Sequence, residues 1–340
     1  MRTALLRHAQ AMRSSTSTPT VAVVGAGIAG AACARALLAG GVGVQVLDRG
    51  RAGGGRLASR TVAGRRVDLG ASYCTARDER FVEVVDDWVE RGVARPWTDA
   101  FHVAGPDGLG AVKQGPLRYG APGGLRSLVE DLLAGTSVRQ ATTVTSVGPG
   151  PTVDGTAYDA VVLAMPDPQA ARLLDAALAD ELAAVEDRTW EPVLALAAGW
   201  DERGWDDAFD GCFVDGSDVL GWVADDGRRR GDGAPVLVAH STAAFAAQHL
   251  DDPDAATGAM VAATAAVLGV EPPPAWTVVQ RWTFARPADA REQAFHLGAA
   301  RVGLCGDGWG SPKVETAYLS GRSLGEQLVR DLTGRRSAQL

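Results

Sequence analysis

Lysine is nearly missing from this 340-residue chain: Lys113 and Lys313 are the only two among 33 basic residues. Together with abundant alanine and glycine, that scarcity reflects genome composition and carries no mechanism. Cysteine is sparse as well. Cys33, Cys74, Cys212 and Cys305 stand far apart with no Cys-x-x-Cys pair, which argues against a disulfide framework or a zinc site and fits a reduced, cytoplasmic setting. No segment approaches the roughly 18 apolar residues of a membrane-spanning helix. The first twenty residues, MRTALLRHAQAMRSSTSTPT, lack the apolar run of a signal peptide. They read as a disordered arm over 1–19, or as an over-long start with Met12 as the initiator, which leaves residues 1–11 in question. Basic residues are outnumbered, and a net charge of -8 argues against nucleic acid or an anionic membrane as a general partner. The run Arg228–Arg229–Arg230 reads as a solvated loop. What remains is the balance of an ordinary globular protein, 46% hydrophobic and 22% charged, long enough for one large domain or two interlocked ones.

TVAVVGAGIAGAACARALLAGG, residues 20–41, runs from a short β-branched strand through glycines into a small-residue helix closed by Gly40–Gly41. VGVQVLD follows as a second buried strand, so a parallel sheet begins here. FVEVVDDWVERG places Phe81, Val84, Val85 and Trp88 on one helical face, whereas 93–120 reads as irregular. GGLRSLVEDLLAG predicts a helix with Leu125, Leu128, Val129, Leu132 and Leu133 inward. ATTVTSV and AYDAVVLAMP predict strands, the second buried on both faces. A long helix over 169–186 is expected next, then strands VLALAAGW, VLGWVA and APVLVAHST, a helix at 253–268, a buried strand in ARVGLCGDGWG, and a terminal helix carrying Val314, Ala317, Tyr318 and Gly321 on one face.

Gly25-x-Gly27-x-x-Gly30 sits between a strand and a helix, the context that gives this spacing meaning. The first glycine makes the tight turn and the second lets backbone approach a pyrophosphate. The third lets helix and strand pack closely, and the helix N-terminus offers amides and a positive dipole to the anion. Asp48, 18 residues beyond Gly30, is placed to accept from ribose hydroxyls. The motif does not choose among NAD, NADP and FAD. Asp48 disfavours the extra phosphate of NADP, while Arg49 would tolerate it.

Asp48 followed at once by RGRAGGGR resembles the arginine and double-glycine segment of flavin-dependent amine oxidases. CGDGW, residues 305–309, resembles their Gly-Asp motif, and DAVVLAMP, residues 159–166, resembles the strand before their crossover to a substrate domain. Within that superfamily, DLGASYCTARDERF, LRYGAPGGLRSL, VLVAHSTAAFAAQHLDDPDA, RWTFARP and LCGDGWGSPKVETAYLSG resemble segments of the renalase group. The resemblance spans about residues 20–332. An arginine-rich loop replaces a frequent Lys-Pro pair, and Cys74 stands where an aromatic is common.

The resemblance implies an α/β fold: a Rossmann-type FAD-binding domain of the glutathione-reductase or p-hydroxybenzoate-hydroxylase kind, interlocked with a substrate domain built on a mostly antiparallel sheet. It implies residues 20–75, 120–168 and 297–334 for the first and 76–119 with 169–296 for the second. FAD, held non-covalently, would lie against Gly25, Gly27, Ile28, Ala29, Gly30, Asp48, Arg49, Gly55, Arg56, Val144, Gly306, Asp307, Val314 and Ala317. Tyr73, Arg118, His240, Arg281 and Trp282 are the substrate candidates, with Tyr73 and His240 the candidates for a catalytic role. The implied reaction is oxidation of isomeric dihydronicotinamide nucleotides to NAD(P)+, with O2 reduced to hydrogen peroxide. The leaving hydride makes the substrate ring aromatic, so no general base is needed, and the sequence offers no Ser-His-Asp set and no metal cluster. A monomer or homodimer is expected, with neither nucleic acid nor membrane as partner. An amine oxidase, a dehydrogenase of a biosynthetic intermediate and a non-catalytic flavin-binding redox sensor remain the competing expectations.

Overall fold

Val21, Ala22 and Val23 are fully buried in the strand Thr20–Val24, the centre of a six-stranded sheet. The computed structural model describes residues 18–105, 108–271 and 273–337; residues 1–17 of the arm expected over 1–19 lie outside them. The central strand pairs in parallel with Gly43–Leu47 on one side and Ala160–Leu163 on the other. Val302–Leu304 and Val138–Arg139 extend the parallel sheet, and His296–Leu297 closes one edge antiparallel. The continuous apolar runs have the cause expected of them, helices or core on both faces.

The helix Ile28–Ala39 covers one face and the terminal helix Val314–Ser337 lies directly on it. The contact depends on missing side chains. A Cβ on Gly321 would stand 1.9 Å from the Ala29 carbonyl oxygen, and one on Gly325 would stand 2.7 Å from that of Cys33.

A seven-stranded sheet forms the second body, in the order 276–287, 190–199, 236–241, 220–225, 211–214, 95–105, 108–120. Its pairings are antiparallel except for 211–214 against 95–105. One face packs Leu194, Leu196, Leu237 and Ala239 with Met260 of the helix Thr257–Leu268. The other turns Ala195, Ala197, Val236 and Val238 toward Val67 and Leu69, at the end of the hairpin Ser59–Val62/Arg65–Asp68. This is the α/β fold with Rossmann-type and mostly antiparallel sheets that the sequence predicts.

Four local expectations fail. The stretch 93–120 is a long hairpin, Arg95–Gly105 with Gly108–Gly120, whose three register shifts and exposed outer strand hide any alternation. The single helix over 169–186 is two, Asp167–Ala171 and Ala179–Val185, broken where the Asp175 carboxylate accepts from the Ala177 amide at 2.8 Å. ATTVTSV supplies only Val147 to a strand, because the Asp154 carboxylate takes the Thr145 and Ser146 amides instead, each at 2.9 Å. Arg228–Arg230 is no solvated loop: it closes the short helix Asp226–Arg230, and Arg229 is fully buried.

Phe81, Val85 and Trp88 of the helix Glu79–Glu90 join the core beneath the glycine-turn helix, and Ala170, Leu174, Leu178 and Val185 join the core on the other side of the parallel sheet. Among the described residues, no helix is long and apolar enough to cross a membrane.

Candidate functional site

Two glycine stretches fold into one cradle. The Gly54 amide donates to the Ala26 carbonyl at 2.8 Å, and a Cβ on Gly55 would sit 3.2 Å from the Gly27 Cα. Gly25 (φ +111°) and Gly54 (φ +119°) hold backbone conformations that L-side chains rarely adopt. No side chain caps the helix that begins at Ile28, so its first-turn amides, near Gly27, Ile28, Ala29 and Gly30, stay available to an anion. Asp48 ends its strand beside this turn, and its carboxylate accepts from the Ala26 amide and the Gly50 amide, each at 2.6 Å. Arg49 is exposed. Val144 is buried with Leu47 and Val24 beside the second strand.

Arg56 and Asp307, 251 positions apart, form a bidentate ion pair at 2.8 and 2.5 Å. Arg56 Nη1 also donates to the Ala285 carbonyl, and the guanidinium lies 5.1 Å from the Trp190 ring centroid. Both terminal nitrogens are thereby committed, so Arg56 acts here as a clasp between the glycine stretch and the Gly-Asp turn. The cation left beside the cradle is Arg126, which the sequence reading missed. Its side chain stands against Gly54, and its buried Nε has no partner. Gly306 (φ +146°) would meet nothing within 4 Å if it carried a Cβ. Val314 and Ala317 are buried against Ile28 and Ala29 at the start of the terminal helix. In that helix's first turn, buried Glu315 accepts from the Arg77 and Asp78 amides at 2.6 and 2.8 Å. A side-chain-free cradle, an uncapped helix end, an acid at the second strand and an unpartnered cation fit a dinucleotide such as FAD. Burial pushes the Cys74 and Cys305 thiols up to about 12, so neither is a thiolate at neutral pH.

Residues 68–74 lead from this cradle to the large sheet. The Ala71 amide donates to the Arg56 carbonyl at 2.9 Å, and the Trp282 indole donates to the Leu69 carbonyl at 2.6 Å. Next in line, Tyr73 enters an aromatic cluster with Trp97, Phe101 and Trp222, its ring centroid 5.5 to 6.2 Å from theirs. Phe213 joins through Trp222 at 4.9 Å and is 44% exposed, so it is the ring on the solvent side of the cluster. Trp222 is fixed by its indole donating to the Ser72 hydroxyl at 2.9 Å. Of these rings only Tyr73 is a sequence-derived candidate. The spacing of Trp97 and Phe101, four apart in a strand, is the signal that could have revealed the others.

Arg118 lies flat over Phe101, 4.0 Å from the ring centroid, and 5.7 Å from that of Tyr73. His240 shares this sheet face through its pairing with Ala195 and Trp222. Burial, with Arg229 and Arg286 adding like charge, lowers its imidazole to about 4, and its enclosed Nε2 has no partner. Arg281 does not join the group. It pairs with Leu194 on the opposite face and donates to the Leu250 carbonyl at 2.5 Å, because successive strand residues point to opposite faces.

Residues 23–88 match the family described as NAD(P)-binding Rossmann-like domain, and residues 90–327, more than two thirds of the chain, match flavin containing amine oxidoreductase. Among solved structures, a protein assigned as a protoporphyrinogen oxidase from Exiguobacterium sp. 255-15 is 14% identical with a TM-score of 0.74, the alignment covering 93% of this chain and 99% of that one. Putrescine oxidase bound to putrescine is 14% identical with a TM-score of 0.72, over 94% of this chain and 99% of that one. At such identity the likeness speaks for the fold alone.

Proposed function

Because the chain belongs to the flavin-containing amine oxidoreductase family, an enzyme family whose cofactor is FAD, we propose that it is a renalase-like oxidase of isomeric dihydronicotinamide nucleotides. The observation that carries this reading is the aromatic cluster of Tyr73, Trp97, Phe101, Phe213 and Trp222, joined through residues 68–74 to the dinucleotide cradle; on this reading its rings wall the substrate chamber. Flat walls suit a flat ring.

FAD, when bound, supplies a two-electron acceptor that O2 regenerates, so that a dihydronicotinamide, O2 and a proton become NAD(P)+ and hydrogen peroxide. The chain's own residues bind, orient and exclude water. Gly25, Gly27, Gly30 and Gly55 leave room for the pyrophosphate, Asp48 is placed for the adenosine ribose, and Arg126 offers positive charge beside the glycines. The Arg56–Asp307 clasp holds the two halves of the cradle together. Tyr73, Trp97 and Trp222 stack the substrate ring and keep water from it. Neutral His240 holds a ring nitrogen on the same face without adding charge, and the substrate needs no base because losing hydride makes its ring aromatic. On this proposal the parallel-sheet body holds the cofactor and the seven-stranded sheet faces the substrate.

Aerobic incubation of the holoenzyme with the isomers tests the proposal. One hydrogen peroxide and one NAD(P)+ per isomer consumed is the expected result. Peroxide from amines, with the isomers unchanged, would assign the chamber to amine oxidation; turnover of neither would fit a redox sensor.

A further inference from the structure

Among the described residues, no carboxylate pairs with Arg118. It is only 7% exposed, and its Nε and Nη1 are buried without a hydrogen-bond partner. Asp210, which meets the same cluster through Trp97, is already engaged, accepting from the Trp97 indole at 3.0 Å and from Arg228 Nε at 2.8 Å. A buried guanidinium with idle donors is costly unless something accepts from it. Its position is nevertheless built. Phe101 supports one face, Tyr73 lies beside it, and Gly115 makes the room, because a Cβ there would stand 2.6 Å from Nη2.

We infer that Arg118 is the specificity-determining residue of the chamber, an anion and carbonyl subsite that receives the acceptor group of a flat ring and turns away cationic amines. This rests on the reading that the chamber receives the substrate. The guanidinium's planar fork matches a carboxylate best and a carboxamide next, while a protonated amine meets a fixed like charge in an apolar surround. A dihydronicotinamide carries such a carbonyl on a neutral ring. Its oxidised product is a cation, of the same sign as Arg118, which favours release.

Benzoate, benzamide and benzylamine probe the site without turnover, through quenching of Trp97 and Trp222 fluorescence or perturbation of the visible spectrum of the holoenzyme. Wild type is expected to bind them in that order of affinity. Arg118→Gln should weaken benzoate by about 10- to 100-fold and leave benzylamine unchanged or tighter, with Arg118→Lys in between. Gly115→Ala, which displaces the guanidinium without removing its charge, should weaken benzoate as well. Benzoate binding that is absent from wild type, or equal in wild type and Arg118→Gln, overturns the inference. If the isomers yield peroxide but benzoate ignores Arg118→Gln, this inference falls and the proposed function stands. If Arg118→Gln abolishes the preference but the isomers are inert, the subsite stands and the proposed function falls.

Discussion

Arg118 and Arg229 are two arginines of similar burial with opposite surroundings. Arg229, at 0% exposure, is ion-paired to Asp226 and donates to the Ser72 carbonyl at 3.0 Å and the Asp68 carbonyl at 3.3 Å, which leaves its buried Nε alone without a partner. Asp226 also pairs with Arg65, and neighbouring Asp225 with Arg203. This knot ties the hairpin 59–68, the segment 68–72 and the loop after Leu220–Asp225 into one piece. Arg118 has aromatic rings in place of acids. The two separate by their counter-charge: Arg229 has a buried carboxylate against it and holds structure, whereas Arg118, which no acid pairs among the described residues, is the one proposed to meet a ligand.

Substitutions should sharpen that contrast, beginning with the knot. Arg229→Met strands Asp226 beside the remaining Arg65 and frees two buried carbonyls, so unfolding by urea should show a loss of about 3–5 kcal/mol. Asp307→Ala removes the partner of Arg56, another arginine that the protein satisfies itself. It should cost about 2–3 kcal/mol and yield largely colourless protein, read from visible absorbance per mole of chain. His240 gives a smaller, pH-dependent effect. Its folded-state value of about 4 lies below the ordinary value of about 6.5. As pH falls through 6.5 the unfolded chain takes up the proton and the folded one does not, so stability drops until about pH 4, by about 2 kcal/mol at pH 5. His240→Gln should flatten that part of the stability–pH curve. Arg118→Met belongs at the bottom of the scale. Removing a cation without an acid partner should change stability by less than about 1 kcal/mol, or raise it, while abolishing the preference for benzoate. A loss as large as that of Arg229→Met would erase the contrast.

The parallel sheet and its glycine turn were legible because their chemistry is local. Val21–Val23 are buried on both faces and read as a continuous apolar run, and Gly25, Gly27 and Gly30 serve one turn within a few residues. Gly306 and Asp307 were legible as a pair for the same reason. The aromatic cluster was not, because its rings come from three strands and from Tyr73, and only the register of the large sheet brings Trp97, Phe213 and Trp222 together. Arg56 and Asp307 were each named but their pairing was not, since 251 positions separate the two. Arg229 misled because a triplet of arginines resembles a solvated run. The acids Asp225, Asp226 and Asp232 flanking it were the overlooked sign of internal pairing. Arg281 and Trp282 were named together, yet the two-residue period of a strand sends them to opposite faces.

On the proposed function, a neutral flat ring held by the aromatic cluster gives up its hydride to reduce the flavin. Anaerobic mixing of the holoenzyme with the dihydronicotinamide isomers, ordinary NADH and NADPH, putrescine and benzylamine tests it most directly, with bleaching of the flavin absorbance as the readout. Rapid bleaching by the isomers, with little or none by the other four, is the predicted result. Bleaching by the amines alone would contradict it.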